Sequence, residues 1–438
     1  MTLKIQSMIY STCGMGGDEN NRAFQEAISA PVDLIIMQWN QSELDSKKND
    51  QILEIDTVQK VKLGSGKSKL VIANKSFGDF DPTRGEVQDL DIQMQWDSNR
   101  DGIPDEGAPS WLAPNNLSFT QQGLVEVRKG YRNWAYLNQH PLYLVRYWEQ
   151  EWINHIKDFI DKLANNSWDG IFLDVVGASD WLKEDSLRKE IYTNEEIASF
   201  TFDSLDEIND YINNKWPNFK LIINGSVTSN WIKYKPEILS LVDGLILENR
   251  FFYSGNNDRD DNFFPTQDKF ENYRGEEEFI NLKSYMKNSS SDALLLPVEA
   301  IEFDNRSFTQ LCRLSDKYKL IPDIKFDQKQ RLYDDYDTTI DYNQRFSINP
   351  HFYSLVDIEG KNKITNNTDL PSMIIGLEGN DEITGSNQND FFMGGEGNDY
   401  INGMNGLDTA VYKHNKDKYN INEAEISKVF EINIKPEY

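Results

Sequence analysis

The sequence predicts an α/β fold: a (β/α)8 barrel followed by a short parallel β-roll. Two observations carry this reading. Short apolar segments alternate with amphipathic helical ones through about residue 326. Beyond a polar stretch, a nine-residue pattern repeats from Gly376 to Val411.

The strand candidates are Ile5–Tyr10, Val32–Gln38, Leu70–Asn74, Tyr143–Tyr147, Gly170–Val175, Leu221–Asn224, Gly244–Glu248 and Leu294–Glu299. Leu320–Phe326 is a supernumerary candidate. Their apolar runs are continuous, which suits parallel strands covered on both faces. Helices fall between them. Trp152, Ile156, Phe159, Ile160 and Leu163 recur at helical spacing and form one face, and Ile197, Phe200, Ile208 and Ile212 form another. About eight such βα units suit a closed barrel better than an open sheet. Residues 79–142 then form an excursion after the third strand, over the barrel mouth. A segment of that length calls for a functional reason.

The domain limits follow. Residues 1–326 are the barrel. Residues 327–372 are polar and irregular, a linker or short β extension. Residues 373–412 hold the repeats, and 413–438 form a tail.

Charge narrows the partners. The chain has 438 residues, with 45 Lys+Arg against 72 Asp+Glu and a net charge of -27. Nucleic acid and anionic membranes would be repelled. Bound calcium or a cationic partner would be attracted. The two cysteines, Cys13 and Cys312, form no disulfide framework and read as unpaired thiols, with a single Cys13–Cys312 bridge as the alternative. His140, His155, His351 and His414 lack paired spacing, which argues against zinc. The opening MTLKIQSMIYSTCGMGG lacks a basic segment followed by an apolar one, so no cleavable signal peptide is expected. No apolar run approaches the roughly 18 residues of a membrane span.

The repeat reads GLEGNDEIT, GSNQNDFFM, GGEGNDYIN, GMNGLDTAV. Asp381, Asp390, Asp399 and Asp408 share one register, and Ile383, Phe392, Ile401 and Ala410 share another. Glycines permit tight turns. Each aspartate offers a hard oxygen, so successive turns can clamp Ca2+ between them. The apolar position stacks into a thin core. The pattern resembles the glycine-rich nonapeptide of RTX proteins. A Gly/Asn-rich linker would not keep four aspartates in phase.

A second calcium candidate is WDSNRDGIPDEGAP, residues 96–109. Asp97, Asn99, Asp101 and Asp105 take loop positions 1, 3, 5 and 9, and Gly102 takes the sharp turn. Ala108 stands where a bidentate glutamate belongs, so Glu106 or water would have to substitute. The competing reading is a solvated acidic turn.

The remaining chemistry lies at strand ends, which converge on the active site of such a barrel. They carry Trp39 and Asn40, Asp79, Arg146, Asp174, Asn224, Glu248, and Glu299 with Glu302. Asp174 and Glu248 fall on alternate strands, the fifth and seventh. Two such carboxylates suit glycoside hydrolysis: one protonates the leaving oxygen and the other acts as nucleophile or base. Retaining and inverting geometries both stay open. Trp39, Trp111, Trp148 and Trp181 fall at strand ends or in the excursion, where they would stack on sugar rings. Core packing is the alternative for each.

Taken in order, LVIANKSFGDFDPTR, GAPSWLAPNN, YLVRYWEQEW, WDGIFLDVVGASDW, LIINGS and VDGLILENRFFY resemble glycoside hydrolase family 114 over roughly residues 1–326. These are the endo-α-1,4-polygalactosaminidase-like (β/α)8 barrels. The resemblance implies an endo-acting hydrolase of polymers rich in α-1,4-linked galactosamine. It maps the family's acids onto Asp174 and Glu248. Asp79, Asn224, Arg146 and Glu299, with the four tryptophans, would contact substrate. Three departures stand out. Val175-Val176-Gly177 replace an Asn and a second Asp, Gly78-Asp79 replaces Gly-Glu, and Glu299-Ala300 replaces Glu-Tyr. A strongly acidic enzyme suits a cationic amino-sugar polymer.

The RTX likeness implies release from the cell by type I secretion, with an uncleaved C-terminal signal in the tail. The roll would fold outside, where calcium is abundant. The rival reading is a catalytically inactive, calcium-dependent carbohydrate-binding or cell-surface protein.

Overall fold

The computed structural model describes residues 7–10, 27–38, 54–66, 68–80, 96, 104–113, 143–176, 184–185, 190–225, 230–248, 274–301, 305–318, 320–326, 353–357, 363–368, 370–412, 419–424 and 429–434. The fold is a (β/α)8 barrel followed by a parallel β-roll.

Eight strands form one parallel sheet in chain order: β1 Met8–Tyr10, β2 Leu34–Gln38, β3 Leu70–Ser76, β4 Gly170–Asp174, β5 Lys220–Asn224, β6 Gly244–Glu248, β7 Leu294–Ile301 and β8 Asp323–Phe326. The sheet curls until β8 comes back beside β1. Helices α1 Ile55–Leu63, α2 Gln150–Asn165, α3 Asn194–Lys215, α4 Asn230–Tyr234, α5 Arg274–Asn288 and α6 Asn305–Tyr318 lie between successive strands from β2 onward.

Local sequence explains these elements. Helix α2 buries Trp152, Ile153, Ile156, Phe159, Ile160 and Leu163, the face its spacing predicts. Helix α3 starts on a capping box, in which Thr193 accepts from the Glu196 backbone while Glu196 accepts from Thr193. Gly170 opens β4 because no side chain fits there. A Cβ would lie 2.5 Å from the Lys220 carbonyl on β5. Ile36, Ile72, Phe172, Ile222, Ile246 and Leu296 are all buried in the sheet, with the buried Asn74 in register with Phe172.

The strand order departs from the sequence expectation in two places. Tyr143–Val145 is not a barrel strand. It sits centrally in a small antiparallel sheet, between Asp79–Phe80 and Leu112–Ala113. Its backbone groups are taken there: Val145 N–H donates to Gly78 O, and Arg146 N–H to Trp111 O. Asp323–Phe326, expected as surplus, instead pairs with Val298–Ile301 and completes the eight. Asp174 therefore ends the fourth barrel strand and Glu248 the sixth. They remain on alternate strands.

The roll has two sheets. One stacks β9 Tyr353–Val356, β11 Ser372–Ile375, β13 Phe391–Met393 and β15 Thr409–Ala410 in parallel. The other stacks β10 Lys363–Thr365, β12 Glu382–Thr384 and β14 Asn398–Asn402, then adds the antiparallel hairpin β17 Val429–Ile434 and β16 Tyr419–Ala424. Strands β9 and β10 extend the roll into the segment that reads as linker or β extension. Ile364, Ile374, Ile383, Phe392 and Ile401 fill the space between the sheets.

Roll and barrel share one apolar core. Met373, Ile375, Phe391, Met393 and Val411 face away from the roll's interior and join the barrel's cluster. Strands β11 and β13 pack on α6, and Arg313 donates to the Tyr412 carbonyl at 3.3 Å. Cys312 on α6 is a buried free thiol whose pKa is raised by burial. Cys13 lies outside the described residues.

Candidate active site

The barrel's C-terminal rim carries a polar line across three adjacent strands. Ser76 on β3 is in register with Asp174 on β4, and Asn224 on β5 reaches Asp174 from the other side. The Asn224 amide donates to Asp174 Oδ1 at 2.9 Å, and the Val175 N–H donates to the same oxygen at 2.7 Å. Ser76 Oγ also donates to Asp79 Oδ1. Asp79 itself is buried at the start of the excursion. The Asp174 carboxyl is half-buried, and its main-chain carbonyl accepts from Phe77.

Val175 has φ 59, in the left-handed region. A β-branched residue is disfavoured there, and such backbone gathers at functional sites. The strained turn directs the Val175 N–H back onto the carboxylate it follows. Donors aimed at one oxygen suit a carboxylate that carries charge.

Glu248 ends β6. Its backbone aligns with Val298 on β7, and Ile246, two residues earlier, aligns with Asn224. Glu248 thus stands one layer nearer the rim than Asn224. Glu299 follows Val298 on β7. For Glu248 and Glu299 the described part is the backbone. Trp39, Trp181, Asp97, Asn99 and Asp101 lie outside the described residues. Asp105 is half-buried, and its N–H donates to the Trp96 carbonyl.

Two candidate substrate contacts, Arg146 and Trp111, serve the interior instead, while Trp148 is half-buried beside Val175. Arg146 is 2% exposed, and its Nη1 donates to the carbonyls of Ser110 and Leu112 at 2.8 and 2.6 Å. Trp111 is buried against Phe80, Trp96 and Trp152. Trp148 stacks on Phe200 with ring centroids 4.9 Å apart and meets Tyr147 and Tyr192 edge-on. Arg146 and Trp111 fasten the excursion to the barrel wall. Sequence reasoning missed Ser76 and Val175. Serine carries little signal by itself, and a positive φ at valine has none.

In the roll, the repeat aspartates stand at corresponding turn ends. Asp399 Oδ1 accepts from the Asp381 N–H at 3.0 Å, and Asp408 Oδ1 from the Asp390 N–H at 3.0 Å. Asp381 is 2% exposed, and neither carboxylate oxygen has a hydrogen-bond partner. Its pKa is pushed up to about 7 by burial, with Asp399 and Asp357 adding to it. Buried, unsatisfied carboxylate oxygens fit a hard divalent cation. Among the described residues, no cluster of three or more His, Cys, Asp or Glu side chains could hold a metal ion. Main-chain oxygens would therefore have to complete each coordination shell.

Fold and site define a (β/α)8 barrel carrying a calcium-binding β-roll. Residues 375–410 match the RTX calcium-binding nonapeptide repeat in four copies. These repeats bind calcium. The chain is 24% identical to an uncharacterized protein, MJ1477, of Methanocaldococcus jannaschii over 234 residues, 53% of this chain and 54% of that protein. The match thus spans about half of that relative's length. Among solved structures, the glycoside hydrolase domain of PelA from Pseudomonas aeruginosa is similar, at 12% identity over 74% of this chain and 96% of that one, with TM-score 0.41. Aspergillus fumigatus Ega3 in complex with galactosamine is similar at 9% identity over 73% and 91%, with TM-score 0.40. Among the described residues, no helix is long and apolar enough to cross a membrane.

Proposed function

We propose that this protein is an endo-acting glycoside hydrolase of an amino-sugar polysaccharide, such as an α-1,4-linked galactosamine polymer. The observation that carries the reading is Asp174, fixed at a strand end by Asn224 and by the strained Val175 turn, two barrel strands from Glu248. Acids on alternate strands flank a glycosidic bond in the required manner. Asp174 receives two donors on Oδ1, which suits the nucleophile or the carboxylate that stabilises an oxocarbenium-like transition state. Glu248, nearer the rim, is the general acid that protonates the leaving oxygen. The acidic chain attracts a cationic polymer. The calcium-binding repeats support work outside the cell after type I secretion.

The test is to incubate the protein with a panel of amino-sugar and neutral polysaccharides and to size the products. Short oligomers should appear from the galactosamine polymer, and Asp174→Asn should abolish them while circular dichroism stays unchanged. Full activity in Asp174→Asn would remove that residue from the mechanism. No release from any polymer would favour the inactive, carbohydrate-binding reading.

A further inference from the structure

The two edges of the roll satisfy their buried aspartates differently. On one edge, β9 is followed directly by Asp357, outside the four matched repeats. Val356 is in register with Ile375, and Asp357 N–H donates to the Ile375 carbonyl at 2.8 Å. Asp357 therefore occupies the position that Gly376 holds in the next turn of the roll. The repeats carry glycine there at Gly376, Gly385, Gly394 and Gly403. The missing side chain leaves a cradle. A Cβ on Gly376 would lie 2.5 Å from Asp381 Oδ2 and 2.4 Å from the Gly394 carbonyl oxygen. Asp357 is 1% exposed, and it and Asp399 are the charges that bear on Asp381. Both oxygens of Asp381 lack hydrogen-bond partners. Leaving such a group buried and charged is costly, and a cation removes the cost.

The opposite edge is already closed. Asp390 Oδ1 accepts from the N–H and hydroxyl of Ser372, at 2.6 and 2.8 Å. Its Oδ2 accepts from the N–H and hydroxyl of Ser386, at 2.7 and 3.0 Å. Four donors fill the lone pairs of one carboxylate. Ser372 stands at the register of the repeat aspartates, since Met373 pairs with Phe391. Ser386 stands where the other turns carry Leu377, Gly395 and Met404. Those three have positive φ, and Ser386 does not. The serine turn folds differently and brings its hydroxyl onto the acid.

We propose that a divalent cation of the calcium type is held between Asp357 and Asp381 at the head of one edge, and that Asp390 on the other edge holds none. Serine donors do at Asp390 what the ion does at Asp381. The site adds one position before the matched repeats and removes one within them.

Native mass spectrometry of the full chain at saturating calcium tests this. Asp357→Asn should bind one ion fewer than the parent protein, and Asp390→Asn should bind the full number. A full complement in Asp357→Asn, or a lost ion in Asp390→Asn, would overturn the proposal. A measurement on the unmodified protein covers a variant that fails to fold. Anomalous scattering from crystals grown with terbium should place a peak between Asp357 and Asp381 and none at Asp390. No peak at the first position, or a peak at the second, overturns it equally.

Discussion

Asn224 donates its side-chain amide to Asp174 across 2.9 Å, from the end of one barrel strand to the end of its neighbour. The bond fixes the carboxylate's rotamer and helps it carry charge. A hydrogen bond to a charged group contributes about 1.5–3 kcal/mol. Asn224→Ala should therefore lower kcat about 10–100-fold, with a smaller change in KM. Steady-state kinetics on the cleaved polymer check this. An unchanged kcat would leave Asn224 as a packing residue.

Glu248→Gln should remove the basic limb of the pH–rate profile, because that limb reports the acid's loss of its proton. The limb's persistence in the variant would exchange the roles of the two carboxylates.

Arg146→Ala should destabilise the barrel without a selective rise in KM. The guanidinium is buried and ties the Ser110 and Leu112 carbonyls to the wall. Losing two charged hydrogen bonds costs about 3–6 kcal/mol. Thermal melting measures the first effect and kinetics the second. A stable variant with a raised KM would return Arg146 to the substrate.

Without calcium, the roll should be more stable in mild acid than at neutral pH. The folded pKa of Asp381 is raised to about 7 by burial, with Asp399 and Asp357 adding to it. A carboxyl of ordinary pKa, near 3.9 when unfolded, binds fewer protons across that interval. Stability then falls as pH rises from about 4 to about 7. Chelator melts at pH 5 and pH 7.5 should show the higher transition at pH 5. Saturating calcium should reverse or erase the difference, since ligation favours the ionised form.

Calcium removal should also expose apolar surface on the barrel. From sequence alone the barrel is expected to stay folded while residues 373–412 disorder. The shared core changes that expectation. Met373, Ile375, Phe391 and Met393 are part of the barrel's cluster, on the side of α6. Chelator should raise dye binding and lower the barrel's own melting temperature. Two fully independent transitions would show that the contact carries no energy.

Several of these features were legible in the sequence. An apolar run ending on Asp174 marks a strand that delivers an acid, and a nine-residue period marks the roll. Strand membership was harder to read. Tyr143–Tyr147 and Leu320–Phe326 are both short and apolar, and only non-local pairing decides which joins the barrel. Strand β9 leads into a degenerate copy of the repeat that ends in β10: DIEGKNKIT, residues 357–365, keeps Gly360, Ile364 and Thr365 but carries Asp357 and Asn362 where GLEGNDEIT has Gly376 and Asp381. The roles of Arg146 and Trp111 depend on what surrounds them, and position at a strand end does not reveal that. Calcium's unequal use of the two edges turns on Ser372 and Ser386, residues too common to stand out.

The roll packs on α6 through β11 and β13, and its residues join the barrel's apolar cluster. Part of the barrel's outer surface is therefore held by a unit whose repeats bind calcium. We expect the proposed hydrolase activity to be latent wherever calcium is scarce and to mature on reaching calcium. The protein would behave as a zymogen that needs no cleavage and can revert when the ion is withdrawn. Activity that rises with calcium over the same range as roll folding would mark this latency, and full activity in chelator would exclude it.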